Sequence, residues 1–251
     1  MNSIAAISDI HGNRWALEAV IAEIDQLGIS QVVNLGDVFY GPLDPLGTAD
    51  LLAERAFPTI CGNEDRIIID NSSPETDTLT FVRAQLKNEH MEWLRTLEMQ
   101  MDFGNAHIFH GSPRSDSEYL LWDIGHYGTR LRRASDVARL LYDIQSSLIL
   151  CGHDHLPGTL FLPNGHMVVN PGSVGLPAYW DDVPQSHVME TGSPHARYAV
   201  ISRTEFEYSV TDRAVPYDWE SAAKTAERNG RPDWAVWLRT GQANGSNPSD
   251  T

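Results

Sequence analysis

The chain is short of cysteine, of positive charge and of long apolar runs, and each shortage closes off a class of protein. Two cysteines, Cys61 and Cys151, among 251 residues cannot staple a disulfide framework. Each follows an apolar run and precedes a glycine, the pattern of a buried strand end. Lys and Arg number 18 against 34 Asp and Glu, a formal charge of −16. An extensive nucleic-acid surface needs concentrated basic charge, and the one tight cluster, Arg130, Arg132 and Arg133, reads as a solvated helix start. No stretch approaches the roughly 20 apolar residues of a membrane span, and residues 1–10 enter an apolar strand without a basic leader. A cytoplasmic location without membrane partners is the simplest expectation, and a homo-oligomer is left open. The composition, 41% hydrophobic and 21% charged, is that of a globular protein.

What is present is an alternation of apolar strands and polar loops. Residues 4–8 (IAAIS) read as a buried strand that runs into Asp9-Ile10-His11-Gly12-Asn13. Leu17, Val20, Ile21, Ile24 and Leu27 then recur at helical spacing over residues 15–27, with Gly28 as the stop. A strand at 32–35, a shorter helix at 49–56 and a third strand at 58–61 follow. Strand, helix, strand, helix, strand predicts an α/β fold with parallel strands and helices against the sheet. Helices are expected over 79–86 and 90–97, strands at 106–109 and 148–151, and a hairpin joining 159–162 to 167–169. An antiparallel pair closes the series near 198–210. Residues 1–215 read as one domain, with a helical cap over 64–100 and a specificity loop over 176–196. A helical extension over 216–240, anchored by Trp219, Trp234 and Trp237, packs on it, and 241–251 is a flexible tail.

The polar clusters fall just after strands, where open α/β sheets place their sites. Asp9, His11, Asp37, Asn63, His110, His153 and His155 all occupy such positions. Carboxylate, imidazole and amide oxygen form a mixed donor set suited to manganese, iron, zinc or nickel. Two such ions about 3.5–4 Å apart can clamp a transferring phosphoryl group, with a carboxylate able to bridge them. In an extended chain Asp9 and His11 point to the same side, and His153 and His155 repeat the device.

Taken together, Asp9-Ile10-His11-Gly12-Asn13, Gly36-Asp37, Gly62-Asn63, His110-Gly111-Ser112-Pro113, Gly152-His153-Asp154-His155 and Asn170-Pro171-Gly172-Ser173-Val174-Gly175 resemble the calcineurin-like metallophosphoesterase superfamily. The nearest branch looks like its compact bacterial phosphodiesterases and diadenosine-tetraphosphatase-like members. The resemblance runs from about Ile4 to Gly175 and weakens from Trp180 onward. It implies a four-layer α-β-β-α sandwich with two facing mixed sheets. It also implies two divalent transition-metal ions, manganese foremost: Asp9, His11 and His155 on the first, Asn63, His110 and His153 on the second, Asp37 bridging both. A hydroxide shared by the ions would then attack the phosphorus of a small phosphate-ester or nucleotide-like substrate.

One motif departs from that pattern. Phosphomonoesterases of the family often carry a histidine after the asparagine of the third motif, where it contacts phosphate or protonates the leaving group. This chain has Gly62-Asn63-Glu64-Asp65-Arg66, and a carboxylate there repels phosphate. Glu64 and Asp65 read as helix-start caps or exposed side chains, Arg66 as a phosphate contact, and His126, in a polar stretch over 122–130, as a proton donor. The departure favours a phosphodiester. A phosphomonoester or phosphoprotein phosphatase, a dinucleoside-polyphosphate hydrolase and a catalytically weak metal-binding regulator are the competing readings.

Overall fold

The computed structural model describes residues 3–125, 128–204 and 207–243. As the alternation predicts, β1 (Ser3–Ile7) and β2 (Gln31–Asn34) pair in parallel across α1 (Arg14–Gln26). Asn13 caps α1 by accepting the Ala16 N–H at 3.2 Å. Helix α2 (Pro45–Arg55) begins four residues before its apolar pattern, because Asp44 supplies the cap and Pro45 suits a first turn. The expected third strand shrinks to a single parallel bridge between Thr59 and Asn34. Pro58 has no N–H to give a ladder, and the Cys61 N–H goes to the Glu98 carbonyl instead.

Three helices follow: α3 (Asn63–Ile69), which the apolar pattern did not announce, α4 (Asp77–Gln85) and α5 (Asn88–Thr96). Leu79, Val82 and Leu94 are buried in the same cluster as Ile7, Leu17 and Phe39, so α4 and α5 belong to the main core rather than standing apart as a cap. Strands β3 (Gln100–Phe103) and β4 (Ala106–Phe109) form a hairpin, of which only β4 was expected. The polar stretch folds as a second hairpin, β5 (Trp122–Gly125) with β6 (Gly128–Leu131). Arg130 therefore lies in a strand, paired like Arg132 with Asp123, and helix α6 (Ala134–Leu140) starts only after Arg133.

Strands β7 (Leu148–Leu150), β8 (Gly158–Phe161) and β9 (Met167–Asn170) then join β3 and β4 in a mixed sheet of order β3-β4-β7-β9-β8. The loop over 176–196 holds a hairpin of β10 (Ala178–Asp181) and β11 (His187–Glu190). Strands β12 (Ala196–Arg203) and β13 (Tyr208–Val215) complete the first sheet in the order β13-β12-β1-β2, also mixed. Helices α7 (Trp219–Arg228) and α8 (Pro232–Thr240) close the described chain and pack with Leu43, Leu176 and Ala178. No helix among the described residues is long and apolar enough to cross a membrane.

Side-chain alternation shows how the sheets stack. Ala6, Val33, Ala199 and Ile201 of the first sheet share a cluster with Ala106, Ile108, Leu148, Leu150 and Val169 of the second. Their neighbours Ala5, Ile7 and Tyr198 turn the other way, into the cluster that holds α1 and α2. Phe109, Ile149 and Val168 likewise meet Val137 and Leu141 around α6. Period-2 alternation thus gives each sheet one face toward its partner and one toward helices, the α-β-β-α arrangement. Replacing Ile108, fully buried between the sheets, by Ala should cost about 2–5 kcal/mol. Urea unfolding measures this, and a loss under about 1 kcal/mol would contradict a close-packed layer.

Candidate metal centre

Strands β1, β2, β4 and β7 all run out at one place, and the residues just past their ends converge there. One ligand atom each from Asp9, His11 and His155 lie within 4.8 Å of one another, and so do those from Asp37, His110 and His153. All six side chains except His153 are almost fully buried. The two groups touch: His110 Nε2 is 3.2 Å from Asp37 Oδ2 and 3.8 Å from Asp9 Oδ1.

The backbone that delivers them is not the extended chain expected of Asp-Ile-His. Asp9, His11, Asp37, His153 and His155 have φ of 55°, 54°, 55°, 72° and 60°. Among the described residues only one other non-glycine residue, Ala56, has a positive φ. Left-handed backbone costs such residues about 1–3 kcal/mol each and persists only where the surroundings enforce it. Enforcement comes from loop-to-loop hydrogen bonds: Asp9 N–H to Gly36 O at 3.0 Å, His11 N–H to Asp37 O at 3.0 Å, and Gly175 N–H to Asp9 O at 3.0 Å. Close approach demands glycine at two neighbours. A Cβ on Gly62 would run into Asp37 Oδ1, and one on Gly175 into the Ile10 carbonyl.

Ring orientation follows from backbone carbonyls, which can only accept. Nδ1 of His11 faces Tyr40 O at 2.9 Å, Nδ1 of His110 faces Leu35 O at 2.7 Å, and Nδ1 of His155 faces Leu176 O at 2.8 Å. Each Nδ1 therefore carries a proton, and in the neutral ring each Nε2 turns a lone pair inward. With both rings neutral, His11 Nε2 and His155 Nε2 meet at 3.0 Å as two acceptors, a contact that a proton or a cation between them relieves. Asp9 Oδ1 and Asn63 Oδ1 are buried without a hydrogen-bond partner. Orphaned acceptors of this kind are costly unless a cation fills the space between them. The residues fit a divalent metal.

The electrostatics agree. Burial pushes His110 down, but Asp37 outweighs it and the ring is pushed up to about 10. His153 goes the other way, pushed down to about 4 by burial and by the neighbouring His110. Burial opposes ionisation of Asp9, yet His155 holds it well below the usual carboxylate range. Protons shared so unevenly among close groups are what a bound cation displaces.

The third motif splits three ways. Asp65 is a buried cap: its carboxylate accepts the N–H groups of Asp37 at 2.8 Å, Val38 at 2.9 Å and Gly62 at 3.0 Å, tying the Asp37 loop to α3. Glu64 is neither cap nor exposed. Its N–H donates to Asp37 Oδ1 at 2.9 Å, and its Oε2 lies 3.0 Å from His11 Nδ1 at the edge of the cluster. Burial pushes its carboxyl up to about 7 against the pull of His11. Arg66 turns away into a bidentate pair with Asp116 at 2.6 and 3.0 Å and is not among the residues that line the cavity over the cluster. His126 lies outside the described residues. Asn13 is buried and bonded to the Gly175 carbonyl at 2.8 Å.

The calcineurin-like phosphoesterase superfamily domain matches residues 2–193, most of the chain. The chain belongs to that superfamily. It is 26% identical to the uncharacterized protein MJ0912 of Methanocaldococcus jannaschii, over 92% of this chain and 94% of that one. The crystal structure of a metallophosphoesterase from Sphaerobacter thermophilus superposes with a TM-score of 0.74 at 25% identity, over 96% of this chain and 100% of the other. A hypothetical protein from Pyrococcus horikoshii OT3, PH1004, superposes at 0.76 with 19% identity over 96% and 99%, a likeness of fold alone. Superfamily membership makes metal-dependent phosphoester hydrolysis the general chemistry of this site.

Sequence reasoning found half of the cavity wall. Leu176, Tyr179 and Trp180, from the segment read as a specificity loop, line it together with the cluster, and so do Arg231, Trp234 and Trp237, although the tryptophans of α8 read as packing anchors. Only the place of the α8 residues beside a strand-end loop, invisible without tertiary structure, marks them. Asp65→Asn should weaken divalent-metal binding about 10–100-fold and lower stability by about 1–3 kcal/mol, since an amide cannot serve all three N–H groups. Metal titration and thermal unfolding read the two effects, and unchanged metal affinity would refute the positioning role.

Proposed function

We propose that this chain is a dinuclear metal-dependent phosphodiesterase, with Asp9, His11 and His155 holding one ion, Asn63, His110 and His153 the other, and Asp37 between them. The observation that carries the proposal is the pair of ligand triads sharing a buried seam at His110, Asp37 and Asp9. Bound divalent ions would bring the pKa of water toward about 7 and draw charge from non-bridging phosphoryl oxygens. The chain's own part is to hold the inward Nε2 atoms by their carbonyl-bonded Nδ1 protons and to fix Asp37 from both sides. Manganese is the first metal to try, given the oxygen- and imidazole-rich donor set.

Preference for a diester rests on charge. Glu64 and Asp181 line the cavity, while its lining Arg231 is already bonded to Asp233. Arg66, the expected phosphate contact, is paired with Asp116. A dianionic monoester meets more repulsion here than a diester, which carries one charge.

Hydrolysis assays and metal analysis test this reading. Manganese-loaded protein should hydrolyse bis(p-nitrophenyl) phosphate at least about tenfold faster than p-nitrophenyl phosphate, and Glu64→Gln should narrow that ratio; a monoester preference in the unaltered chain would sink the diester assignment. Elemental analysis should find about two ions per chain and fewer in His153→Ala. Asp37→Ala should lose more than about 100-fold in activity, because outer partners of ligands alone cost 10–100-fold.

A further inference from the structure

Above the metal cluster lies an open cavity of about 290 Å³, just under the roughly 300–1,000 Å³ of small-ligand sites. Its volume suits one small group of a substrate. Its walls come from two elements beyond the region where the family motifs run. Tyr179 and Trp180 stand on β10, and Trp234 and Trp237 on α8, with Tyr40 on the loop after β2. These rings are held in place. Trp180 Nε1 donates to Ser186 Oγ at 3.2 Å, Tyr179 OH donates to Tyr119 OH at 2.9 Å, and the Arg231 guanidinium sits 5.5 Å from the Trp234 ring centre.

Charge in the same walls points away from a second phosphate. Among the described lining residues Arg231 is the one Lys or Arg. Its Nε and Nη2 donate to Asp233, and its Nη1 to Thr78 Oγ1 at 2.7 Å. Glu64 and Asp181 add carboxylates at the rim. A polyphosphate chain would find no uncommitted cation beyond the metals. A flat ring with N–H and O–H donors finds the partly exposed rings of Tyr40, Tyr179 and Trp180 to stack on, backed by the buried Trp234 and Trp237, and carboxylate oxygens to accept from it.

We propose that this aromatic cavity is the subsite for a nucleoside, so that the substrate is a nucleoside phosphodiester with a single phosphate at the metals. The inference rests on the phosphodiesterase reading for the fate of that phosphate, but the subsite itself is tested by binding. Calorimetry on the manganese-loaded full chain compares AMP, ribose 5-phosphate and ATP. AMP should bind at least about tenfold more tightly than ribose 5-phosphate, the value of one stacked base, and ATP no more tightly than AMP. Trp180→Leu should remove most of the AMP advantage, and Trp180→Phe, which keeps a ring, should restore it.

Equal binding of AMP and ribose 5-phosphate, or tighter binding of ATP, overturns the proposal, as does failure of all three to bind. An AMP advantage unaffected by Trp180→Leu in a protein that still unfolds cooperatively also overturns it. Hydrolysis of bis(p-nitrophenyl) phosphate separates the two readings. Activity there without an AMP preference removes the nucleoside subsite alone. An AMP preference without hydrolysis of any ester leaves the subsite standing and removes the phosphodiesterase.

Discussion

His11 Nε2 and His155 Nε2, lone pairs in the neutral rings, face each other across 3.0 Å in a buried space, with Asp9 Oδ1 3.4 Å from the second. Groups of like polarity do not gather so closely out of water unless something positive is to join them. Much of the surrounding structure serves to maintain that arrangement. Three backbone carbonyls fix the imidazole tautomers, five ligand residues adopt left-handed backbone, and adjoining loops exchange main-chain hydrogen bonds instead of leaving them to solvent. The two sheets matter to the site because their packed interface sets where those loops emerge.

How much of this was legible in the sequence depended on whether the signal was local. Asp9 after an apolar strand, or His153 and His155 after another, is a local pattern, and the seven ligand candidates emerged from it. Strand β4 and helix α1 were legible for the same reason, through period-2 and period-3.6 burial. Helix α3 was not, because Asn63-Glu64-Asp65-Arg66 shows no apolar face. Its start is secured by Asp65 reaching across to the Asp37 loop, a contact between residues 28 and 27 positions apart in the chain. The left-handed conformations were also hidden: Asp and His adopt them more readily than most residues but still uncommonly, and only the finished network selects them. Arg66 looked like a free cation because Asp116, fifty residues away, was not visible as its partner.

The third motif shows that a single exchange changes what neighbouring residues can do. With Glu64 beside His11, a negative group stands where a cation would greet phosphate, and Arg66 at 44% side-chain exposure is turned aside to Asp116. Asp65 meanwhile keeps the role that holds Asp37 in place. The motif has therefore retained its structural part while its polarity toward the substrate is reversed, so the ligand set and the substrate preference can vary separately.

That separation has a spatial basis. The ligand candidates other than Asn63 come from loops after β1, β2, β4 and β7, whose positions the sheet interface constrains. The wall comes from β10 and α8, which pack on one another through Leu176, Ala178, Trp234 and Leu238 and carry no ligand. A substitution in the wall changes the shape and polarity of the cavity without loosening the sheets. With a chain charge of −16, cations are drawn to the molecule and polyanions held off. Bound metal ions would create a local island of positive potential whose size is set by the acidic rim around it. On the proposed reading one phosphate fits on that island, and whatever else the substrate carries is recognised by rings rather than by charge.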